Sequence, residues 1–543
     1  MDLDEILPFI GEFGKYQKSV IWLILFPAVF PCGFHAYNQL FMATLPEHWC
    51  KLSTIPGIEG DLIKNLSIPM EITWDNRSKF SQCFMYEHAF NQVTIEYERK
   101  QLKTIPCQNG WEYNIDNIKN SIISEWNLVC TKNFQPTLAL VLFGCSGLIG
   151  NYIFGYIQDG CGRKPAYFIY LLIQCVFGVA TAMANNFFVW TLFRIGVGFT
   201  VPAILGTPYV LAIELVGPRH RTTVTILINI AYSLSLVSLG IVVWTVRNWR
   251  WMALSTTVPF IGLFFAWFVL PESPRWLLAR GMYDQADVLL KKMARINGGV
   301  LPNDMMPKFP ANDRSENSEK GPKFGIRHLF KRPNLRWKTV IVTFLWFTNT
   351  SVYVGLSYYA PSLGGDEFLN FFLAGAVELP TYLFLWPAME RLGRRWTLCI
   401  SMIVGGSSCL ATVLVQNDYL ITLSLYCMGK MGISSAFVVL PLMASELYPT
   451  VVRGLGMSLS SVIGMLGPIF IPLVNYLGSD MIILPLIIMG ILLMAGGLCS
   501  LLLPETLNQH LPQTLEDAEK SRLDFFACCA PPQKEEQDQV KGY

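Results

Sequence analysis

Gly155-Tyr-Ile-Gln-Asp159-Gly-Cys-Gly162-Arg163-Lys164 decides the reading of this chain, because a near-copy returns half a chain later as Glu390-Arg391-Leu392-Gly393-Arg394-Arg395. Each phrase is a short charged turn between two long apolar runs. A second pair obeys the same rule. Pro271-Glu272-Ser273-Pro274-Arg275-Trp276 closes the sixth apolar run, and Pro504-Glu505-Thr506 closes the last. Punctuation repeated between membrane-length segments means two related halves in one membrane, the arrangement that alternating access requires. The expected fold is all-α: twelve transmembrane helices in two pseudo-symmetric six-helix bundles, with a large extracellular loop.

Of the 543 residues, 52% are hydrophobic and only 15% are charged, and mean hydropathy is +0.39. Soluble domains carry about 25% charged residues. The deficit is concentrated in long apolar stretches, so the chain is a polytopic protein whose surroundings are the lipid bilayer. A net charge of +2 is too near neutral for a nucleic-acid surface. The sequence has no GxxxxGK[ST] phosphate loop and no paired zinc-ligand motif, so no cofactor or metal is expected. Without a nucleophile–base constellation, no enzyme is expected either. Residues Met1 to Lys18 are acidic and lack a basic-then-apolar leader pattern; they are expected to be retained and cytosolic.

A spanning helix needs about 20 mostly apolar residues. Twelve stretches qualify, near 20–43, 136–157, 166–184, 187–215, 223–246, 251–270, 339–360, 367–389, 397–415, 419–446, 454–478 and 481–503. The chain thereby divides into an N-terminal segment 1–19, a first bundle 20–270, a linker 271–338, a second bundle 339–503 and a tail 504–543. Segment 44–135 interrupts the first bundle.

Orientation follows from lysine and arginine. The linker 271–338 holds 14 Lys/Arg against 7 Asp/Glu. Turns on the same side carry Arg163 and Lys164, Arg219 and Arg221, and Arg391, Arg394 and Arg395. Opposite turns are nearly free of positive charge, with Arg247 and Arg250 as exceptions. Both termini and the linker are therefore expected in the cytosol, and 44–135 outside. Four of the 14 cysteines, Cys50, Cys83, Cys107 and Cys130, lie in 44–135. An even number in an oxidising compartment predicts two disulfides, with three connectivities open. Two glycosylation sequons, at Asn65 and Asn76, fall in the same segment. Asn349-Thr-Ser351 lies inside a helix and is discounted. The outer segment also offers a surface for self-association.

Within the linker, residues 272–296 place Trp276, Leu277, Ala286, Leu289, Leu290 and Met293 at helical spacing. That pattern predicts amphipathic helices on the membrane face. Residues 297–323 read as a mobile connection between the halves, and the tail beyond Leu511 as a polar, disordered end. Cys528-Cys529 reads as a reduced pair in preference to a palmitoylation site.

Ionisable groups at bilayer depth are costly and usually functional. One cluster lies at the cytosolic turns: Asp159, Arg163 and Lys164, echoed by Glu390, Arg394 and Arg395. A second combines Arg194 and Glu214 with Arg219 and Arg221, echoed by Glu446 and Arg453. Opposite charges at helix ends in both halves read as a latch that pairs across them when that side closes; static ion pairs are the plainer reading. The third cluster is deeper. Glu378 precedes Pro380, which leaves the Ala376 carbonyl without its usual partner and invites a kink. A carboxylate beside a broken helix at mid-membrane is a candidate cation site. Lys430 is its counter-charge, and a purely structural pair is the alternative. Aromatic faces at this depth, Trp346, Tyr353 and Tyr232, suit a cation. Tyr358 and Tyr359 read as interface-belt residues. His35, Asn38 and Gln39 on the first helix are further cavity candidates.

These residues, with Gly11-Glu-Phe-Gly14, Gln17-Lys18, Glu125-Trp-Asn-Leu-Val-Cys130, Trp249-Arg250-Trp251 and Glu446-Leu-Tyr-Pro449, resemble the major facilitator superfamily. Within it they resemble the organic cation, anion and carnitine transporters of solute carrier family 22, over nearly the whole chain. The resemblance implies a central cavity that moves organic ions across the plasma membrane. It assigns pocket roles to Tyr232, Trp346, Tyr353 and Glu378, and pairs Cys50 with Cys107 and Cys83 with Cys130. Cation-carrying relatives often have an aspartate, and anion or carnitine carriers an arginine, where this chain has Met465. Pro202 stands where some cation carriers have lysine. With Glu378 and Lys430 as the cavity's charges, the expected substrate is a small organic cation or zwitterion. An organic anion exchanger, a sodium-coupled carnitine carrier, and a non-transporting receptor or scaffold are the rivals.

Overall fold

In a computed structural model, residues 3–52, 60–72, 78–87, 103–114, 119–299, 327–415, 418–449, 452–478, 483–507, 516 and 519 are described. Eleven helices among them are long and apolar enough to cross a membrane. They are α1 (Lys15–Met42), α2 (Cys130–Cys161), α3 (Arg163–Ala182), α4 (Phe187–Glu214), α5 (Pro218–Thr245), α6 (Trp249–Phe268), α7 (Pro333–Leu363), α8 (Glu367–Arg391), α9 (Arg394–Leu414), α10 (Tyr419–Leu447) and α11 (Arg453–Leu477). The twelfth expected span is the shorter apolar helix α12, Leu484–Ser500, of 17 residues. That length sits at the lower limit for crossing.

In each half the third helix packs on the fourth. In the first, α2 and α3 lie on α4; in the second, α9 lies on α10 and α12. The close approach of α2 to α4 depends on Gly150, where a Cβ would stand 1.9 Å from the Phe199 carbonyl oxygen. The halves meet along α5 with α8 and α2 with α11. Aromatic pairs seal this seam toward the 44–135 end. Tyr37 stands edge-on to Tyr358 at 5.7 Å, Phe41 to Phe371 at 5.0 Å, and Phe134 to Tyr476 at 5.2 Å.

The segment between α1 and α2 forms three two-stranded antiparallel pairs: His48–Cys50 with Trp111–Tyr113, Met70–Ile72 with Ser78–Phe80, and Phe84–Tyr86 with Thr104–Pro106. Disulfides join Cys50 to Cys107 and Cys83 to Cys130, with Cα separations of 5.1 and 5.7 Å. This is the pairing that the resemblance implies. Glu125 fastens the segment to the α5–α6 turn, accepting from Trp249 Nε1 at 2.7 Å and pairing with Arg250 at 2.6 Å. Arg250, one of the two exceptional arginines of that turn, thus has a local partner. Asn65 is exposed on a short helix, Gly60–Ser67. Asn76 lies outside the described residues, as do 300–326 of the connection, the tail from 520 onward and Cys528-Cys529.

The linker helix Tyr283–Asn297 is amphipathic as its spacing predicts, but its apolar face does not look outward. Leu290, Met293 and Ala294 are buried with Leu3, Ile6, Leu7 and Ile10 of the N-terminal helix Leu3–Ile10. Asn297 locks the two together: its Nδ2 donates to the Ile10 carbonyl and its Oδ1 accepts from the Tyr16 amide, both at 2.9 Å. The belt assignment of Tyr358 and Tyr359 also changes, because both are buried between helices.

Gly150→Ala should cost about 1–3 kcal/mol, the usual penalty of overpacking. The check is the thermal midpoint of the purified protein; an unchanged midpoint would mean that α2 and α4 do not need their close contact.

Candidate functional site

The centre of the molecule is organised by a break in α8. Helix runs from Glu367 to Ala376 and again from Glu378 to Arg391, and Pro380 lies in the first turn of the second piece. Glu378 therefore stands at the first residue of the second piece. It is fully buried, and its Oε2 accepts hydrogen bonds from Ser233, from Tyr353 at 3.2 Å and from Tyr382 at 3.3 Å. Its Oε1 lies 3.1 Å from Lys430 Nζ, itself 1% exposed. Lys430 also donates to Ser357 Oγ at 2.6 Å and stands 3.6 Å from the centre of the Tyr353 ring. Tyr353 and Ser357, four residues apart on α7, present one face to α10.

A cavity of about 160 Å³ adjoins this network, between the halves. Tyr232, Tyr353, Met465, Tyr37, Tyr382 and Phe437 are among its walls, and no charged side chain is. Tyr353 and Tyr382 therefore separate the space from Glu378 and Lys430. Tyr358 is a wall residue too, a role its sequence position near the helix end concealed. Trp346, two turns from Tyr353 on α7, lines neither this cavity nor the next. A vestibule of about 530 Å³ shares Pro202, Leu205, Asn229, Phe437 and Met465 with the cavity and runs to Arg221 and Arg453. The space between the halves is thus continued toward the charged turns, while aromatic pairs close the opposite seam.

Of the latch residues, the structure brings together Asp159, Arg163 and Glu214. Arg163 lies 3.3 Å from Asp159 and 2.9 Å from Glu214. In the second half Arg394 lies 3.4 Å from Glu446. Glu390 instead accepts from Trp386 Nε1 at 2.7 Å. Arg453 donates to the Tyr448 carbonyl, and Lys164 lies over the Trp267 ring at 5.0 Å. Each pair stays within its own half; none crosses to the other among the described residues. Arg194 is not part of this group. It donates to Gln39 Oε1 at 2.9 Å and to the His35 carbonyl at 3.0 Å, behind the Phe143 ring. It lies 20 residues from Glu214 along one helix, roughly 30 Å at 1.5 Å per residue. His35, Asn38 and Gln39 are likewise buried within the first half, His35 and Asn38 against Thr257 and Thr256.

Two acids complete the turns that the repeated phrases announce. Glu272 accepts from the backbone amides of Arg163 at 2.8 Å and Lys164 at 3.2 Å. Glu505 accepts from those of Arg394 at 2.9 Å and Arg395 at 3.1 Å. The preceding residues, Gly162 and Gly393, have φ of +101° and +84°. A Cβ on either would meet its glutamate at 2.5 Å. Arg395 is further held by the Leu501 carbonyl. Burial raises the Glu272 carboxyl above its ordinary value, while the amides of Ser273, Arg163 and Lys164 pull it back.

A sequence profile described as "Sugar (and other) transporter" matches residues 79–517. A β-alanine transporter of Drosophila melanogaster is 51% identical, over 97% of this chain and 91% of that protein. A carcinine transporter of the same organism is 41% identical, over 98% of this chain and 82% of its own length. A partially occluded, inward-open structure of the xylose transporter XylE from E. coli superposes with a TM-score of 0.59 at 16% identity, covering 91% of this chain and all of that one. That likeness shows the fold. The chain belongs to the sugar (and other) transporter family of the major facilitator superfamily, and within it to the organic ion transporters of solute carrier family 22. It is a multi-pass membrane transporter of small organic substrates, not an enzyme.

Glu272→Ala or Glu505→Ala strips two helix-end amides of their acceptor, at about 1–3 kcal/mol for buried donors left unmade. The expected result is a lower thermal midpoint and a lower maximal transport rate with little change in KM. A rate unaltered in both variants would remove these turns from the transport cycle.

Proposed function

We propose that the protein carries a small organic cation or zwitterion across the plasma membrane by alternating access, its termini in the cytosol, and that the central cavity is its substrate site. The observation that carries this reading is the Glu378–Lys430 pair, 0% and 1% exposed, directly behind two wall tyrosines. At about 160 Å³ the cavity suits a small solute, well under the roughly 300–1,000 Å³ of sites for drug-sized ligands. Tyr232 and Tyr353 offer ring faces to an ammonium, worth about 0.5–2 kcal/mol each when desolvated. Glu378 offsets its charge, and Met465 gives a neutral floor shared with the vestibule. The names of the relatives agree with this class: β-alanine is a zwitterion at neutral pH.

The vestibule that runs from this cavity to Arg221 and Arg453 supports an inward-facing state. Closing it moves Arg221 and Arg453, one from each half, toward acids such as Glu446 and Glu214 of the opposite half. Asp159, Arg163, Lys164, Glu390, Arg394 and Arg395 hold the helix ends that must move as a body.

Glu378→Gln should abolish or severely impair uptake of the physiological substrate while surface expression persists, because the amide cannot offset a cation. Full uptake by this variant would leave Glu378 a structural residue. Asp159→Asn should lower turnover more than apparent affinity; an unaffected maximal rate would count against the latch.

A further inference from the structure

The charges around the central cavity favour one substrate class over another. Its wall holds no charged side chain. Immediately behind Tyr353 and Tyr382 stands the Glu378–Lys430 pair, with no net charge of its own. A third buried charge, Arg194, stands behind the wall residue Phe143 with its guanidinium bound to α1. The sum, −1 for Glu378 and +1 each for Lys430 and Arg194, is +1. A bare monovalent cation entering this space raises it to +2, in surroundings where uncompensated charge is costly. A zwitterion adds nothing. An anion brings the sum to zero, but it meets the negative faces of the wall tyrosines, and Arg194 does not reach it past the Phe143 ring.

We infer that Glu378 and Lys430 form a two-ended receptor for a short amino acid whose ammonium and carboxylate are both ionised. The substrate ammonium replaces Lys430 at Glu378, and the freed Lys430, with the Ser357 hydroxyl, takes the substrate carboxylate. No bond is made or broken; one ion pair becomes two. Lys430 Nζ lies 3.6 Å from the centre of the Tyr353 ring and 2.6 Å from Ser357 Oγ, so Tyr353 must swing aside to admit the substrate. Lys430 is thereby the residue that sets specificity. This inference rests on the cavity being the substrate site.

Three probes of nearly equal shape separate the cases: β-alanine as zwitterion, β-alaninamide as cation and propionate as anion. The full chain, purified and reconstituted into liposomes, should take up β-alanine about tenfold faster than the amide, a ratio equal to ~1.4 kcal/mol, and propionate not measurably. Lys430→Gln should reverse the order of the first two. Glu378→Gln should lose β-alanine uptake. The double variant Glu378→Gln/Lys430→Gln, which removes both buried charges together, serves as the folding control and should carry neither. Thermal stabilisation of the unaltered protein by β-alanine but not by the amide supports the inference even where a variant fails to fold. Amide uptake equal to that of β-alanine, or an unchanged order in a folded Lys430→Gln protein, overturns this inference and leaves the substrate site standing. No uptake of β-alanine or the amide by the unaltered protein overturns both.

Discussion

A carboxylate taken out of water to the middle of a membrane protein must find donors or lose its charge. Glu378 finds four groups on three helices besides its own: Ser233 on α5, Tyr353 on α7, Lys430 on α10, and Tyr382 one turn on along α8. Ser233 belongs to the first half and the others to the second. The acid is therefore a node through which the two bundles are joined at the depth of the cavity. It stands where the two pieces of α8 meet, with Pro380 two residues on. Any movement that parts α5 from α8 must give Glu378 a substitute for the Ser233 hydroxyl.

A second constraint acts at the charged turns. Consecutive long helices reversing in a few residues leave amides with no acceptor. In both halves the remedy is the same: glycine at positive φ, then two amides converging on a glutamate that arrives from the end of the bundle. The glutamate couples the second and third helices of each bundle to the chain just beyond its sixth. Arg163 and Arg394 then reach across to Glu214 and Glu446 and draw in the fourth helix. Each half gains a rigid corner, so the space between the halves can alter while each corner does not.

Much of this was legible in the residues. The repeated phrases, the apolar runs and the four cysteines of the outer segment fix the two-bundle plan, and Glu378 with Lys430 marks its centre. Three things were not. Arg194 and Glu214 share a helix, but a helix that crosses a membrane carries its two ends to opposite sides, and sequence proximity conceals that. The rotation of α7 about its axis is set by packing, so Tyr358 lines the cavity and Trp346 does not. Glu272 and Glu505 were visible as punctuation, but their work is done on backbone amides, which no side-chain pattern announces. The spacing of the linker residues marks a two-faced helix. What covers its apolar face depends on residues 3–10, nearly 300 positions earlier.

That last contact has a consequence for how the chain is made. The helix Leu3–Ile10 is synthesised before the first bundle, yet Asn297, which donates to its Ile10 carbonyl, follows the whole of that bundle. Leu3, Ile6, Leu7 and Ile10 share their buried cluster with Leu290, Met293 and Ala294 of the linker helix as well as with residues of the first bundle. The contact with the linker helix can therefore form only after all six spans of the first bundle have been made.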